Sequence, residues 1–528
     1  MIKKHFFPVF IAVFAIFTAF AQSPTSALVP MVNHCEISAK VKPYCIDAKQ
    51  GKIFFADSSL LLSAQDLSLS IKETMGIAIE VTDKAEKSTI RLSIDTTLDG
   101  KERYRIDVSK KGIQIVGATP AAVWWAVQTF HQILLGDVKN TALHQVAALH
   151  IDDAPRFAYR ALMLDPARHF LPVADVKKFI DEMAHFKYNV LQLHLTDDQG
   201  WRMEIKKHPS LASKQHYTQE QLRDLIEYAR QRHIMVVPEV DVPGHTVAIL
   251  SAYPELSCQH LVDAEKVVGR IEQMMLCASQ PKVYDVLTDV IEEIAQTFDA
   301  PYIHLGGDES AIDKNWAHCD RCKQMMKDHG YTDISQLMIP FFSKVLGEVK
   351  KVGKKPILWC ELNNIWPPAD KYLFPYPQDV TLVTWRNALT PTCLSLTAQS
   401  GNPIIMAPGE HAYLDYPQYK NDLPEFKNWG MPITTLQKTY ELDPAYGGTP
   451  QDSRHILGVM GTLWGEAIPD INRATYMAFP RALALAEAGW TEMKYRSWDS
   501  FKQRIYPNLN RMMKSGISFR VPYEIEQK

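Results

Sequence analysis

From residue 156 onward the chain alternates between two kinds of hydrophobic pattern. Eight short runs are apolar at almost every position: 159–164, 190–195, 235–240, 302–305, 356–359, 381–385, 403–407 and 456–463. Between most of them, at 173–186, 219–232, 282–298 and 334–352, apolar residues return every third or fourth position, which predicts amphipathic helices. A strand that is apolar throughout is buried on both faces, as in a parallel sheet covered by helices. Eight such units over 156–500 make the count of an α/β fold, the (β/α)8 TIM barrel. An open doubly wound sheet is the alternative. However, the first run leads into Asp165-Pro-Ala-Arg168, with no glycine-rich dinucleotide-binding turn.

Residues 22–155 follow another pattern. Positions 91–94 and 104–108 alternate as strands, Lys110-Lys111-Gly112 makes a turn, and 113–116 return. A helix is predicted from Ser58 to Met75 with Gly76 as its stop, and a second opens at Thr119-Pro120 and runs to Leu135. This is a small α+β domain that precedes the barrel, with the boundary at Asp153-Ala-Pro155. Residues 501–528 are expected to form a C-terminal helix and tail packed on the barrel. His185 is expected at a solvated helix position.

The N-terminus reads differently again. Lys3 and Lys4 precede an apolar run over 6–20 that ends in Ala19-Phe20-Ala21. The run falls short of the ~20 residues that span a bilayer as a helix. It predicts a secretory signal peptide at 1–21, hence an exported, periplasmic or secreted protein with no stable membrane anchor after cleavage. No Asn-x-Ser/Thr sequon occurs, which fits a bacterial exported protein.

Composition narrows the class. Apolar residues at 46% and charged residues at 22% exclude a disordered chain or a coiled coil. Fifty-seven Lys and Arg against 60 Asp and Glu leave no basic field for nucleic acid. Export permits disulfides, and Cys35/Cys45, Cys258/Cys277 and Cys319/Cys322 are close in sequence. Cys319-Asp-Arg-Cys322 has the form of half a zinc site or a redox pair. No partner knuckle is visible, so a loop disulfide is expected and no metal. Cys360 and Cys393 are expected to be buried free thiols.

In a barrel of this kind the reactive groups follow the C-terminal ends of the strands. Those ends carry Asp165-x-x-Arg168-His169, Asp197-Asp198, Glu239-Val-Asp241-Val-Pro-Gly-His245, Gly306-Gly307-Asp308-Glu309, Trp359-Cys-Glu361, Trp385-Arg386, Tyr413-Leu-Asp415 and Trp464-Gly-Glu466. Carboxylates interleaved with tryptophans suit a sugar, whose C–H faces lie on indoles and whose hydroxyls bond to acids and Arg. Asp308 and Glu309 are adjacent and point different ways, so they do not flank one glycosidic bond as an acid and nucleophile pair. Two neighbouring carboxylates resist ionising together, which leaves Glu309 protonated as a general acid. The nucleophile is then missing from the protein. A metal-dependent hydrolase using Asp197, Asp241, His245 and Asp308 is a competing reading, weakened by the lack of paired histidine ligands.

These motifs resemble the signatures of glycoside hydrolase family 20, the β-N-acetylhexosaminidases. They run in order through 155–500, and 22–155 resembles the domain that precedes the family's barrel. The resemblance implies exo-acting, retaining hydrolysis of terminal β-linked GlcNAc or GalNAc, with the substrate's 2-acetamido oxygen as nucleophile, an oxazolinium intermediate and no cofactor. It implies that Glu309 is the acid and then the base, and that Asp308 holds the acetamido N–H. Tyr413 would bond the acetamido oxygen, while Trp359, Trp385 and Trp464 wall the pocket. Arg168, Glu466 and Asp415 would hold the sugar hydroxyls, and Asp197 with His245 would form a relay behind Glu309. A sugar-binding protein that has lost catalysis and a disaccharide-releasing, lacto-N-biosidase-like member remain as alternatives.

Overall fold

A computed structural model describes residues 23–47, 51–85, 88–258, 274–362, 375–386, 388–419, 431–446 and 453–522; the leader read at 1–21 lies outside the described residues. The apolar runs form strands β1 (Tyr159–Leu164), β2 (Val190–His194), β3 (Met235–Glu239), β4 (Tyr302–His304), β5 (Lys355–Trp359), β6 (Thr381–Thr384), β7 (Ile404–Met406) and β8 (Ile456–Leu463). They are parallel and close in chain order, with β8 returning to β1 so that Tyr159 faces Gly458 and Leu164 faces Leu463. Each strand is apolar on both faces for separate reasons. Ala161, Met163, Val237, Ile357, Val383, Ile405 and Met460 fill the bore. Leu162, Leu164, Leu191, Leu193 and Leu382 pack outward against the helices.

The preceding domain is a seven-stranded mixed sheet in the order Cys35–Ile37, Leu149–Asp153, Tyr104–Ser109, Gly112–Gly117, Ile90–Ile94, Lys52–Phe55, Glu80–Thr82. Helices Leu61–Met75 and Pro120–Gly136 pack together and against it. The second starts where Thr119 caps it, its hydroxyl accepting from the Ala122 N–H, with Pro120 in the first turn. Every residue from Ala122 to Leu134 in this helix is buried. The sheet covers one side, and the C-terminal helix Trp498–Lys514 packs on another.

That C-terminal helix does not rest on the barrel alone. Arg504 forms a two-point pair with Glu487 (both 2.8 Å) and donates to the Leu28 carbonyl, while Asn508 donates to the Ala27 carbonyl at 2.8 Å. It therefore wedges the segment before the sheet against the barrel. His185 is not solvated. It is buried, its ring edge-on to His131 at 5.1 Å and its Nε2 3.3 Å from Asn508 Oδ1, because helices from both ends of the chain cover it.

The domain boundary is a buried polar junction. Asp153 accepts from Tyr104 Oη (2.6 Å), Trp490 Nε1 (2.8 Å) and the Asn33 N–H (2.9 Å), with Lys187 Nζ at 3.7 Å. Burial pulls Lys187 down to about 8, which Asp153 opposes. Asp153→Ala is expected to cost about 3–5 kcal/mol, because it strands a buried ammonium and two buried donors. Denaturant unfolding checks this, and a loss below about 1 kcal/mol would show that the junction reorganises freely.

The cysteines do not pair locally. All eight are free thiols, and Cys258, Cys277, Cys319 and Cys322 gather in one buried cluster. Cys360 and Cys393 are both buried. Among the described residues, no helix is long and apolar enough to cross a membrane.

Candidate active site

Two turns shape the C-terminal mouth of the barrel. After β1, Asp165 Oδ1 accepts from the Arg168 N–H (3.1 Å), and its Oδ2 accepts from Arg168 Nη1 (3.0 Å) and the Gly465 N–H (2.8 Å). This clasps the first strand end to the last. After β4, Gly306 and Gly307 adopt left-handed φ of 64° and 98°. A Cβ on Gly306 would sit 1.8 Å from Asp241 Oδ1, so no side chain fits there. The same Asp241 oxygen accepts from the Gly307 N–H at 3.0 Å. Glu309 itself has φ of 43°, a conformation that costs a non-glycine residue energy and is held here by the tight turn. The effect is to bring Asp308 and Glu309 to the same cavity.

That cavity has a volume of about 160 Å³. Arg168, Asp197, His245, Asp308, Glu309, Trp385, Tyr413, Asp415, Trp464 and Glu466 all line it. Trp359 does not reach its surface. It is 1% exposed, its ring 5.6 Å from that of Trp464, and its Nε1 donates to Glu239 Oε1 at 2.9 Å. The bore charge Glu239 thus anchors Trp359 one layer below the pocket. Asp241, Tyr416, Pro417, Met431 and Ala467 also line the cavity. Asp241 is legible in sequence as a strand-end carboxylate of the Glu239–His245 motif. Met431 carries no sequence signal.

The charges form a chain. Arg168 Nη1 lies 2.8 Å from Asp197 Oδ2 and 3.0 Å from Asp165, with Glu466 at 3.8 Å from Nη2. Burial works against the guanidinium, but Asp165, Asp197 and Glu466 hold it firmly protonated. Asp197 also meets His194 Nε2 at 2.9 Å and His245 Nδ1 at 3.4 Å. Burial would raise its pKa, but Arg168, His245 and His194 hold it well below the usual carboxylate range. Burial would likewise lower His245, yet Asp197 first and then Asp308 push it up to about 10. His245 Nε2 stands 3.7 Å from both Asp308 Oδ2 and Glu309 Oε2. Glu309 is raised above the usual range, by desolvation between the pocket walls first and by Asp308 second. Its side chain is nonetheless 53% open to solvent, so the carboxyl is shielded yet reachable. Asp415 is pushed up to about 8, by burial first and by Glu466 next.

Several polar atoms here are spare. Among the described residues, Asp308 Oδ1, Asp415 Oδ1, Arg168 Nε and Trp385 Nε1 are buried without a hydrogen-bond partner. Buried polar groups are ordinarily satisfied, so a cluster of unsatisfied ones around one cavity marks a place for a polar ligand. Asp241, His245 and Asp308 also come within 4.8 Å of one another, as do His194, Asp197 and Asp241. The site already supplies its own cations to these carboxylates. Arg168 Nη1 lies 2.8 Å from Asp197 Oδ2, and His245 Nδ1 lies 3.4 Å from Asp197 Oδ1.

The His245 shift has a stability consequence. Its folded pKa of about 10 lies above the ~6.5 of an unfolded histidine. The stabilisation is therefore full below about pH 6.5 and fades as pH rises toward about 10. Unfolding free energy measured at pH 6 and pH 10 is expected to fall by about 1–4 kcal/mol more in the native chain than in His245→Gln. Equal losses would remove the charged pair from the account.

Comparison with known proteins follows the same division of the chain. Residues 157–493 match the family model for the glycosyl hydrolase family 20 catalytic domain, and residues 25–154 match that for its domain 2. A β-hexosaminidase of Akkermansia muciniphila is 34% identical, over 81% of this chain and 86% of its own. A β-hexosaminidase of Porphyromonas gingivalis is 33% identical, over 90% of this chain and 61% of its own. Among solved structures, an exo β-N-acetylglucosaminidase of Vibrio harveyi, in complex with N-acetylglucosamine, superposes with a TM-score of 0.80. It is 28% identical and is matched over 96% of this chain and 80% of that one. A Streptomyces plicatus N-acetyl-β-hexosaminidase in complex with thio-NAglucal gives 0.79 at 28% identity, over 96% and 98%.

Proposed function

The chain belongs to glycosyl hydrolase family 20, and on that footing we propose that it cleaves terminal β-linked N-acetylhexosamine by substrate-assisted catalysis. It is a glycoside hydrolase acting on carbohydrate, an exo β-N-acetylhexosaminidase. The observation that carries the mechanism is the position of Asp308 and Glu309. Both stand 3.7 Å from the same His245 nitrogen, on one side of the pocket. An enzyme nucleophile would have to face the acid across the scissile bond. We take the acyl oxygen of the substrate's own 2-acetamido group as that nucleophile, with Asp308 beside the acid Glu309 to stabilise the charge it develops.

In this reading Glu309 delivers its proton to the leaving oxygen while the acetamido oxygen closes on the anomeric carbon. The bond to the leaving group breaks, and an oxazolinium ring forms with its positive charge shared toward nitrogen. Asp308 faces that N–H and stabilises the charge, and Tyr413 bonds the acetamido oxygen. Glu309, now ionised, takes a proton from water, which opens the ring with retention. Arg168, Glu466 and Asp415 hold the hydroxyls, and Trp385 and Trp464 form the walls. Asp197 fixes His245 behind the carboxylates. An inactive binding protein is not favoured, because both carboxylates reach the cavity. A disaccharide-releasing enzyme is not favoured by relatives named β-hexosaminidase. We further propose export, since Lys3-Lys4, the apolar run over 6–20 and Ala19-Phe20-Ala21 have the layout of a cleaved leader.

The test is a substrate series in which the N-acetyl group carries one, two and then three fluorines. Fluorine withdraws electrons from the acyl oxygen. We expect kcat/KM to fall more than about 100-fold from acetyl to trifluoroacetyl, about 2.7 kcal/mol of lost transition-state stabilisation. A flat series would mean that the protein supplies the nucleophile.

A further inference from the structure

Four of the eight cysteines converge away from the sugar pocket. Cys258 follows the short turn Pro254–Leu256, Cys277 follows a bridge pairing Ser257 with Leu276, Cys319 precedes the helix Asp320–Asp328, and Cys322 lies in its first turn. All four are buried. Cys277 Sγ lies 3.6 Å from Cys322 Sγ and 4.0 Å from Cys319 Sγ, and all four sulfurs lie within 4.8 Å of one another. A disulfide requires about 2.0 Å between sulfurs. Four zinc–sulfur bonds of about 2.3 Å at tetrahedral angles place the sulfurs about 3.8 Å apart. The cluster therefore has the dimensions of a metal tetrahedron and not of two disulfides.

We propose that Cys258, Cys277, Cys319 and Cys322 bind one zinc ion as a closed structural tetrathiolate site. Binding exchanges four thiol protons for four zinc–sulfur bonds, with no change of oxidation state. The surroundings suit thiolates. Ser279 Oγ lies 3.2 Å from Cys277 Sγ and 3.5 Å from Cys322 Sγ, in reach to donate to either. Two of the sulfurs sit at the N-terminal end of a helix, where anions are favoured. Tetrahedral sulfur ligation suits iron as well as zinc, and we commit to zinc because a closed site of four protein ligands is its ordinary structural arrangement, with elemental analysis to separate the two. The expectation of a loop disulfide fails because only Cys319 and Cys322 form a sequence knuckle. The other two ligands, Cys258 and Cys277, both come from the loop after β3, on either side of the Ser257–Leu276 bridge, and they reach the knuckle only when the loops after β3 and β4 fold together.

The location gives the ion a task. The loop after β3 carries His245, and the loop after β4 carries Asp308 and Glu309. Near the cluster the loop after β3 is closed on itself by the Leu276 N–H to the Pro243 carbonyl (2.9 Å), and it is joined to the loop after β4 by Trp316 Nε1 donating to the Leu276 carbonyl (2.9 Å). A zinc ion would add four bonds to this brace and fix the two halves of the acid–histidine arrangement against each other.

The experiment uses the full chain, purified without a histidine tag and dialysed against metal-free buffer. Elemental analysis is expected to find one zinc per chain, and the denatured, chelated protein is expected to show no disulfide by intact mass. A mercurial that titrates thiols should release that zinc to a colorimetric dye. Cys319→Ser with Cys322→Ser should lose it. If that variant does not fold, cobalt exchanged into the native chain should give the intense visible absorption of a tetrahedral tetrathiolate. The proposal is overturned by two disulfides in the native protein, by iron in place of zinc, by zinc retained after the thiols are titrated, or by metal-free thiols that take up neither ion.

Discussion

Replacing Glu309 by Gln is expected to lower kcat/KM on a natural β-linked N-acetylhexosaminide by about 10²–10⁴-fold, the worth of a positioned general acid. Desolvation between the pocket walls and the adjacent Asp308 both raise its pKa, so the carboxyl keeps its proton to higher pH than a free Glu. Gln keeps the shape and loses the proton. The effect should depend on the leaving group. An alkoxide of a second sugar cannot depart unprotonated, whereas a dinitrophenolate can. The first step on an aryl glycoside with such a leaving group should therefore be far less impaired. The second step still needs a base, and an early burst followed by slow turnover is expected. The alkaline limb of the native pH–rate profile, which reports loss of the Glu309 proton, should vanish in the variant. Equal losses on alkyl and activated aryl substrates would remove Glu309 from the acid role and leave it a binding residue.

The parts of this molecule that were legible in sequence are those where one local pattern has one physical cause. The eight barrel strands could be placed to within a residue or two because burial on both faces makes almost every position apolar, as in 159–164, where Arg160 is the exception, and 456–463, where Thr462 is. Strands Cys35–Ile37 and Glu80–Thr82 were not read, because they are three residues long at the two edges of their sheet and carry no alternation long enough to register. The pocket was legible because a closed barrel sends every strand end to one mouth, so Arg168, Asp308 and Glu466 meet although hundreds of residues separate them. Depth was not legible. Trp359 and Trp464 both follow or end a barrel strand, but only the second reaches the cavity, since a Glu239 carboxylate in the bore holds the first. The cysteine cluster and His185 were missed for a related reason. Both depend on segments remote in sequence that fold over them, and no local period encodes that.

Asp308→Asn is expected to cost about 10²–10³-fold in kcat and to leave KM nearly unchanged. Its Oδ1 is buried with no hydrogen-bond partner among the described residues, an acceptor already aimed and desolvated. Asn can still present an oxygen to an acetamido N–H, so ground-state binding survives. What it lacks is negative charge. In the resting substrate the amide nitrogen is neutral and the charge matters little. As the acyl oxygen attacks, that nitrogen becomes cationic, and the interaction becomes charge-assisted in a site shielded from water. The loss is therefore confined to the transition state and to what resembles it. Two inhibitors separate the cases. A thiazoline that mimics the charged ring should weaken by about the same factor as kcat/KM falls, while the neutral product sugar should bind Asp308→Asn within a few-fold of the native chain. Parallel weakening of both ligands would make Asp308 a binding group for the resting sugar, and the stabilisation of the intermediate would then have to come from elsewhere in the pocket.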